Sequence, residues 1–204
     1  MWKTIARMMS VVTGRPWKAI VLVVLVSVAQ GEAWKRHTID DSSHGADGVR
    51  LADFNGDGRL DIATGCEEGG VVRLYLQPEP ARVRQPWPRV TVGYVKSAED
   101  AVPFDVDGDG RLDIVSSCEG STKTLYVHWA PADEKTLLDE TAWKTEAFPQ
   151  TAGHNAWMFA LPMQVDGQRC EDLVVGAKGG GGRVFCLYSP ENPRDLASWK
   201  MELV

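Results

Sequence analysis

The sequence predicts an all-β repeat fold, and three observations carry that expectation. The nonapeptide Asp53-Phe-Asn55-Gly-Asp57-Gly-Arg59-Leu-Asp61 recurs 52 residues later as Asp105-Val-Asp107-Gly-Asp109-Gly-Arg111-Leu-Asp113. Trp34, Trp87, Trp143 and Trp199 stand 53, 56 and 56 residues apart, each opening a short run of alternating character. Between them lie β-branched runs punctuated by Gly- and Asp-rich turns, the signature of short strands. Four strands in a unit of this length is the arithmetic of a β-propeller blade. An ordinary antiparallel sandwich would also alternate, but it gives no reason for turns, prolines and tryptophans to recur in phase.

The first unit reads VRLADF, the acidic turn, DIATG, a Gly-rich turn, VVRLYL, and then the strand opened by Trp87. The second reads AVPF, the acidic turn, DIVSS, a turn, TLYVHW, and then the strand opened by Trp143. The third reads FALPM, a weaker turn, EDLVVGA, a Gly-rich turn, RVFCLY, and then the strand opened by Trp199. Helix-prone inserts at Asp133–Ala142 and Pro193–Ser198 read as surface excursions between the third and fourth strands. The blades are expected at about 47–93, 99–148 and 157–204. A lone N-terminal strand, Trp34–Ile39, precedes them, so the expectation is a partial propeller of three full blades plus one strand. Closed propellers have more blades. The rest would come from a longer chain or from self-association, because an open arc leaves sheet faces and edges uncovered.

Residues 1–33 read as a signal peptide. Lys3, Arg7, Arg15 and Lys18 precede the apolar run Ala19–Ala29, and Gly31 and Ala33 suit a cleavage site. The run is too short for a stable membrane span, which needs roughly 20 apolar residues; an uncleaved anchor is the alternative. Export to the periplasm, cell surface or medium is expected. The remaining 171 residues carry a formal charge of −9, which excludes nucleic acid as a natural partner. Cys66, Cys118, Cys170 and Cys186 match neither a disulfide framework nor a zinc spacing, and are expected to be buried or free.

The acidic loops suit a hard cation. Asp53, Asn55, Asp57 and Asp61 take loop positions 1, 3, 5 and 9, with the Arg59 carbonyl at position 7. Asp105, Asp107, Asp109, Asp113 and the Arg111 carbonyl repeat the set. Such flexible oxygen donors around a Gly-rich bend fit Ca²⁺ better than the stricter Mg²⁺. The bidentate Glu of an EF-hand is missing at position 12, where Thr64 and Ser116 stand, and the flanks read as strands. In the third unit only Asp166 and Asp172 keep carboxylates, beside Gln164, Gln168 and Cys170, so weak binding or none is expected there, with Arg169 available to neutralise the loop.

With D-x-D-G-D-G-x-x-D between the first two strands of a blade, the chain resembles the FG-GAP/VCBS repeat family. The resemblance implies a secreted or cell-surface propeller with Ca²⁺ in its inter-strand loops, broadly similar to the integrin α-subunit head. A kelch-type blade, suggested by Gly69-Gly70 with Tyr75 and Trp87, lacks the acidic loop. Strand alternation puts the metal loops on one face. The other face surrounds the propeller axis and offers a candidate ligand site: His44, Asp47, Lys96, Glu99, Asp100, His154, Asn155 and Trp157, with Glu67, Glu68, Glu119 and Lys178 nearby. The plainer reading makes these ordinary loop residues, with Trp157 packed between blades and His37 and His128 placed in strands. No nucleophile motif is present, and no catalytic residue is assigned. The expectation is a non-enzymatic adhesion, ligand-binding or structural module for a glycan or protein. The alternative is an enzyme acting on a carbohydrate or organic substrate at the axial face.

Overall fold

The computed structural model describes residues 35–168, 170–179 and 181–204. The expected leader, Trp34 and Arg169 lie outside them. The described residues from His37 onward form three four-stranded antiparallel sheets joined by loops and short 3₁₀ turns.

The first sheet contains β1 (Ala46–Ala52), β2 (Asp61–Cys66), β3 (Val71–Tyr75) and β4 (Arg89–Gly93). The second contains β5 (Ala98–Phe104), β6 (Asp113–Cys118), β7 (Leu125–Trp129) and β8 (Lys144–Ala147). The third contains β9 (Ala156–Met163), β10 (Asp172–Lys178), β11 (Arg183–Tyr188) and β12 (Lys200–Leu203). Each is a meander in chain order. The first strand of every sheet carries a register shift near its start: between Asp47 and Arg50, between Ala98 and Asp100, and opposite Gly176/Ala177. A bulge bends and twists a strand. These three strands are neighbours, β1 packing on β5 and β5 on β9.

The first three strands of the second sheet, β5 to β7, are buried on both faces. One side joins Ala101 and Ile114 to Leu74 and Val90 of the first sheet. The other joins Val102, Val115 and Val127 to Trp157, Leu173 and Phe185 of the third. All six residues of β6 are therefore buried. A strand covered on both faces loses the polar half of its alternation, so DIVSSC reads as small and apolar instead. The strand-4 tryptophans tie the preceding loops: Trp143 Nε1 donates to Leu137 O (3.0 Å) and Trp199 Nε1 to Pro193 O (2.9 Å). The helix-prone inserts become 3₁₀ turns at Glu134–Thr136, Glu140–Ala142 and Leu196–Ser198. They are too short to bury an amphipathic stripe, and only Leu137 and Leu196 anchor them.

The N-terminal strand expected over Trp34–Ile39 does not form in its described part. Lys35–Ile39 carries no strand, and His37 is accordingly in no strand. One backbone bond, Trp87 N–H to Ile39 O (3.0 Å), replaces a ladder. The chain then turns at Asp40, whose carboxylate meets Arg89 (2.9 Å) and accepts from Tyr75 Oη (2.9 Å). A backbone bond and polar side chains of the first sheet thus hold the chain at Ile39 and Asp40 without a strand. All four cysteines are free, and Cys66, Cys118 and Cys186 are buried.

Candidate metal loops and the opposite face

The two acidic loops fold alike, atom by atom. In the first, Asp57 N–H donates to Asp53 Oδ1 and Asn55 Oδ1 (3.1 Å each), Gly58 N–H to Asp53 Oδ2 (2.8 Å), and Arg59 N–H to Asp57 Oδ1 (2.9 Å). In the second, Asp109 N–H donates to Asp105 Oδ1 (3.0 Å) and Asp107 Oδ1 (3.2 Å), Gly110 N–H to Asp105 Oδ2 (2.9 Å), and Arg111 N–H to Asp109 Oδ1 (2.9 Å). The glycines at positions 4 and 6 have φ between 68° and 87°, the left-handed region that side chains avoid. This bend points the oxygens of positions 1, 3 and 5 at one spot. Ligand atoms of Asp105, Asp107 and Asp109 lie within 4.8 Å of one another. Arg59 pairs with Asp57 and Arg111 with Asp109.

Position 9 has a structural task as well in the same motif. Asp61 is fully buried and accepts from Phe54 N–H (2.9 Å) and Gln77 N–H (2.8 Å). Asp113 accepts from Val106 N–H (3.2 Å) and Ala130 N–H (2.7 Å). Asp172 accepts from Val165 N–H (2.9 Å) and Ser189 N–H (2.9 Å). Each carboxylate therefore ties the loop after the first strand to the end of the third strand. The tie persists in the third sheet, whose other ligand positions are degraded, so it does not depend on a cation. Burial raises the Asp61 carboxyl above the usual carboxylate range and pushes that of Asp113 up to about 7.

The third loop closes itself. Gln164 Nε2 donates to Gln168 O (3.0 Å) and to Cys170 O (3.2 Å), while Gln164 Oε1 accepts from Gly167 N–H (2.8 Å). Cys170 stands at position 7, so its carbonyl faces inward and meets an amide donor there. In this loop the inward carbonyls are thus satisfied by a neutral N–H₂ donor from the loop itself. The donor set of the first two loops consists of hard oxygens, the ligand type that Ca²⁺ and Mg²⁺ take.

Arg194 was not legible as part of this region. It comes from the β11–β12 loop of the third sheet and donates through Nε to Asp107 Oδ2 (2.5 Å) in the second loop. Its Nη2 stands 3.7 Å from Asp109 Oδ2, and its Cζ lies 4.5 Å from the Trp129 ring centre.

The candidate ligand face is divided. Trp157 and Asp100 are fully buried, which removes both from an exposed ligand surface. Trp157 packs edge-on against Phe185 in the core. Asp100 takes a two-point contact from Arg50 (2.8 and 2.7 Å) and further bonds from Ala101 N–H (3.0 Å) and Ala160 N–H (3.3 Å), joining β1, β5 and β9. Arg50 gave no sequence signal, since its equivalents are Val102 and Leu161. His44 and Lys96 are exposed; His44 O accepts from Gly69 N–H (3.1 Å), and Asp47 O accepts from Thr64 Oγ1 (2.7 Å). His154 and Asn155 line a shallow depression with Lys123, Lys178 and Arg183. Glu99 joins Glu67 and Glu119 in a carboxylate cluster within 4.8 Å, with Lys178 paired to Glu119. Burial and then repulsion from Glu119 push the Glu99 carboxyl up to about 7.

Three like sheets with an acidic turn in the same place define a β repeat module of the ligand-binding or structural kind. Residues 53–116, from the first loop to the middle of β6, match the family model of the FG-GAP-like repeat. None of the curated proteins matches the chain. Among the described residues, no helix is long and apolar enough to cross a membrane.

Proposed function

We propose that the chain is an exported, Ca²⁺-binding segment of a β-propeller that serves as a non-enzymatic ligand-binding, adhesion or structural module. The observation that carries the reading is the contrast among the three loops. Two present converging carboxylates at positions 1, 3 and 5 (with Asn55 at position 3 of the first), and the third fills the equivalent space with the Gln164 amide. Asp53, Asn55, Asp57, the Arg59 carbonyl and Asp61 would hold one ion. Asp105, Asp107, Asp109, the Arg111 carbonyl and Asp113 would hold the other. The ion would neutralise a charged turn and brace each sheet at the loop already tied by its position-9 carboxylate.

The propeller reading is supported by the side-by-side packing of β1, β5 and β9 and by the common phase of the loops. A glycan or protein would bind on the face opposite the metal loops, where His44, Lys96, Glu99, His154 and Asn155 are accessible. Binding is favoured over catalysis because the accessible groups include no nucleophile paired with a base, while the Ser116–His128 pair is wholly buried. The basic leader and its short apolar run support export.

Thermal unfolding with Ca²⁺ and with EGTA tests the reading. An ion at a hundred times its dissociation constant adds about 2.7 kcal/mol, which for a domain of this size raises Tm by roughly 5–10 °C. The Asp57→Ala/Asp109→Ala double variant is expected to lose that shift. Equal Tm values for wild type in Ca²⁺ and EGTA would refute calcium binding.

A further inference from the structure

We infer that Arg194 is a built-in competitor for the cation of the second loop, and that it makes the two calcium loops unequal. The inference rests on the calcium reading above and adds a residue to it. The loops differ at one ligand position: Asn55 in the first, Asp107 in the second. The extra carboxylate of the second loop faces an extra guanidinium, for Arg194 reaches across from the third sheet to Asp107 at 2.5 Å. Asp107 keeps only 8 % of its side-chain surface exposed, whereas Arg194 keeps 49 %. In the first loop the corresponding partner is internal, Asn55 Nδ2 donating to Asp57 Oδ2 (3.0 Å).

A guanidinium and a cation cannot both take full advantage of the same carboxylate, since each is stabilised by the same negative charge and they repel each other. Arg194 has a second partner at the same position. Its guanidinium already lies over the Trp129 ring, an arrangement that attracts a cation without a carboxylate. Trp129 is itself held by Nε1 donating to Glu146 Oε2 (2.7 Å). Arg194 therefore clamps the third sheet to the second loop when no metal is bound, and yields Asp107 when metal arrives. The second loop thereby binds more weakly than its four carboxylates would suggest, and its occupancy is linked to the contact between the second and third sheets.

The test uses the full chain and Ca²⁺ alone. An Asp57→Ala background silences the first loop, so calorimetric titration reads the second. Arg194→Ala in that background is expected to bind Ca²⁺ roughly threefold to tenfold more tightly, the range set by loss of a partly exposed ion pair. In thermal unfolding, Arg194→Ala should lie below wild type in EGTA, and the gap should close or reverse in saturating Ca²⁺. A purely structural role would leave the same gap in both conditions. Unchanged or weaker affinity in Arg194→Ala, or a constant gap in Tm, overturns the inference while leaving calcium binding intact. If neither protein binds Ca²⁺ in any background, the inference and the calcium reading fall together.

Discussion

His128 shows how one buried side chain can set a solution property. Its Nε2 is 2.9 Å from Ser116 Oγ and its Nδ1 is 2.8 Å from Thr145 Oγ1, so a neutral ring has both nitrogens satisfied. Burial pushes its pKa down to about 3 from an ordinary value of 6.5. The unfolded chain therefore binds a proton below pH 6.5 that the folded chain refuses until pH 3. The stability His128 contributes is full above pH 6.5 and is lost as pH falls toward 3. Between pH 6.5 and 5 that loss is about 2 kcal/mol, at 1.36 kcal/mol per pH step. His128→Leu should remove this acid-side slope, measured by urea denaturation at several pH values. It should also cost about 1–2 kcal/mol at pH 7, because the buried Ser116 hydroxyl loses its partner while the exposed Thr145 hydroxyl can turn to water. An unchanged slope in the variant would place the acid sensitivity elsewhere. Gly93 lies against this ring: a Cβ there would come within 2.3 Å of His128 Cε1, so the position excludes any side chain.

At the scale of the element, the hairpin loop has two separable layers. The inner layer is the position-9 carboxylate, buried and bonded to the backbone that follows the strands on either side of it. The outer layer is the convergent set at positions 1, 3 and 5. The third loop separates them, since it keeps Asp172 and has lost the outer set. Asp172→Ala removes the acceptor for Val165 N–H, Asp166 N–H (3.3 Å) and Ser189 N–H. It is expected to cost about 2 kcal/mol, since the buried Ser189 N–H left unpaired carries its full desolvation cost while the N–H groups of the exposed Val165 and Asp166 can turn to water. Denaturant titration should return the same cost in Ca²⁺ and in EGTA. By contrast Asp109→Ala, at an exposed position, should cost under about 1 kcal/mol without metal. If Asp172→Ala proves as mild as Asp109→Ala, the tie is not structural.

For the whole molecule, the end sheets show faces that the middle sheet buries. Leu161 and Met163 of β9 are the counterparts of Val102 and Phe104 of β5. The first pair is 54 % and 49 % exposed, the second 6 % and 2 %. Phe159 and Val184 extend the apolar surface, and Val49 and Leu51 expose the far side of the first sheet. A patch of this kind is ordinarily covered. Within the chain, each such face is covered by the next sheet, so further sheets or a second copy would complete the stack. Sedimentation velocity of the isolated chain is expected to show association at micromolar concentrations, abolished by Phe159→Glu/Leu161→Glu. A wild-type chain that stays monomeric would argue against self-association.

The sequence by itself determined the β class, the three-unit phase and the position of each acidic turn. These follow from local rules: alternation sets a strand, and Gly beside Asp sets a bend, whatever lies across the sheet. It did not reveal which polar groups face inward. Asp100 stands among loop-like neighbours yet is sealed by Arg50, whereas Trp157, in the corresponding stretch of the third unit, fills the core between sheets as the plainer reading of the sequence expected. Arg194 lies 87 residues from Asp107, and no period links them. The Trp34–Ile39 run has strand chemistry, but the first sheet offered Asp40 two polar partners, and the described part of the run forms no strand. The tertiary structure decided these matters, because burial and charge pairing depend on what another sheet brings within a few ångströms.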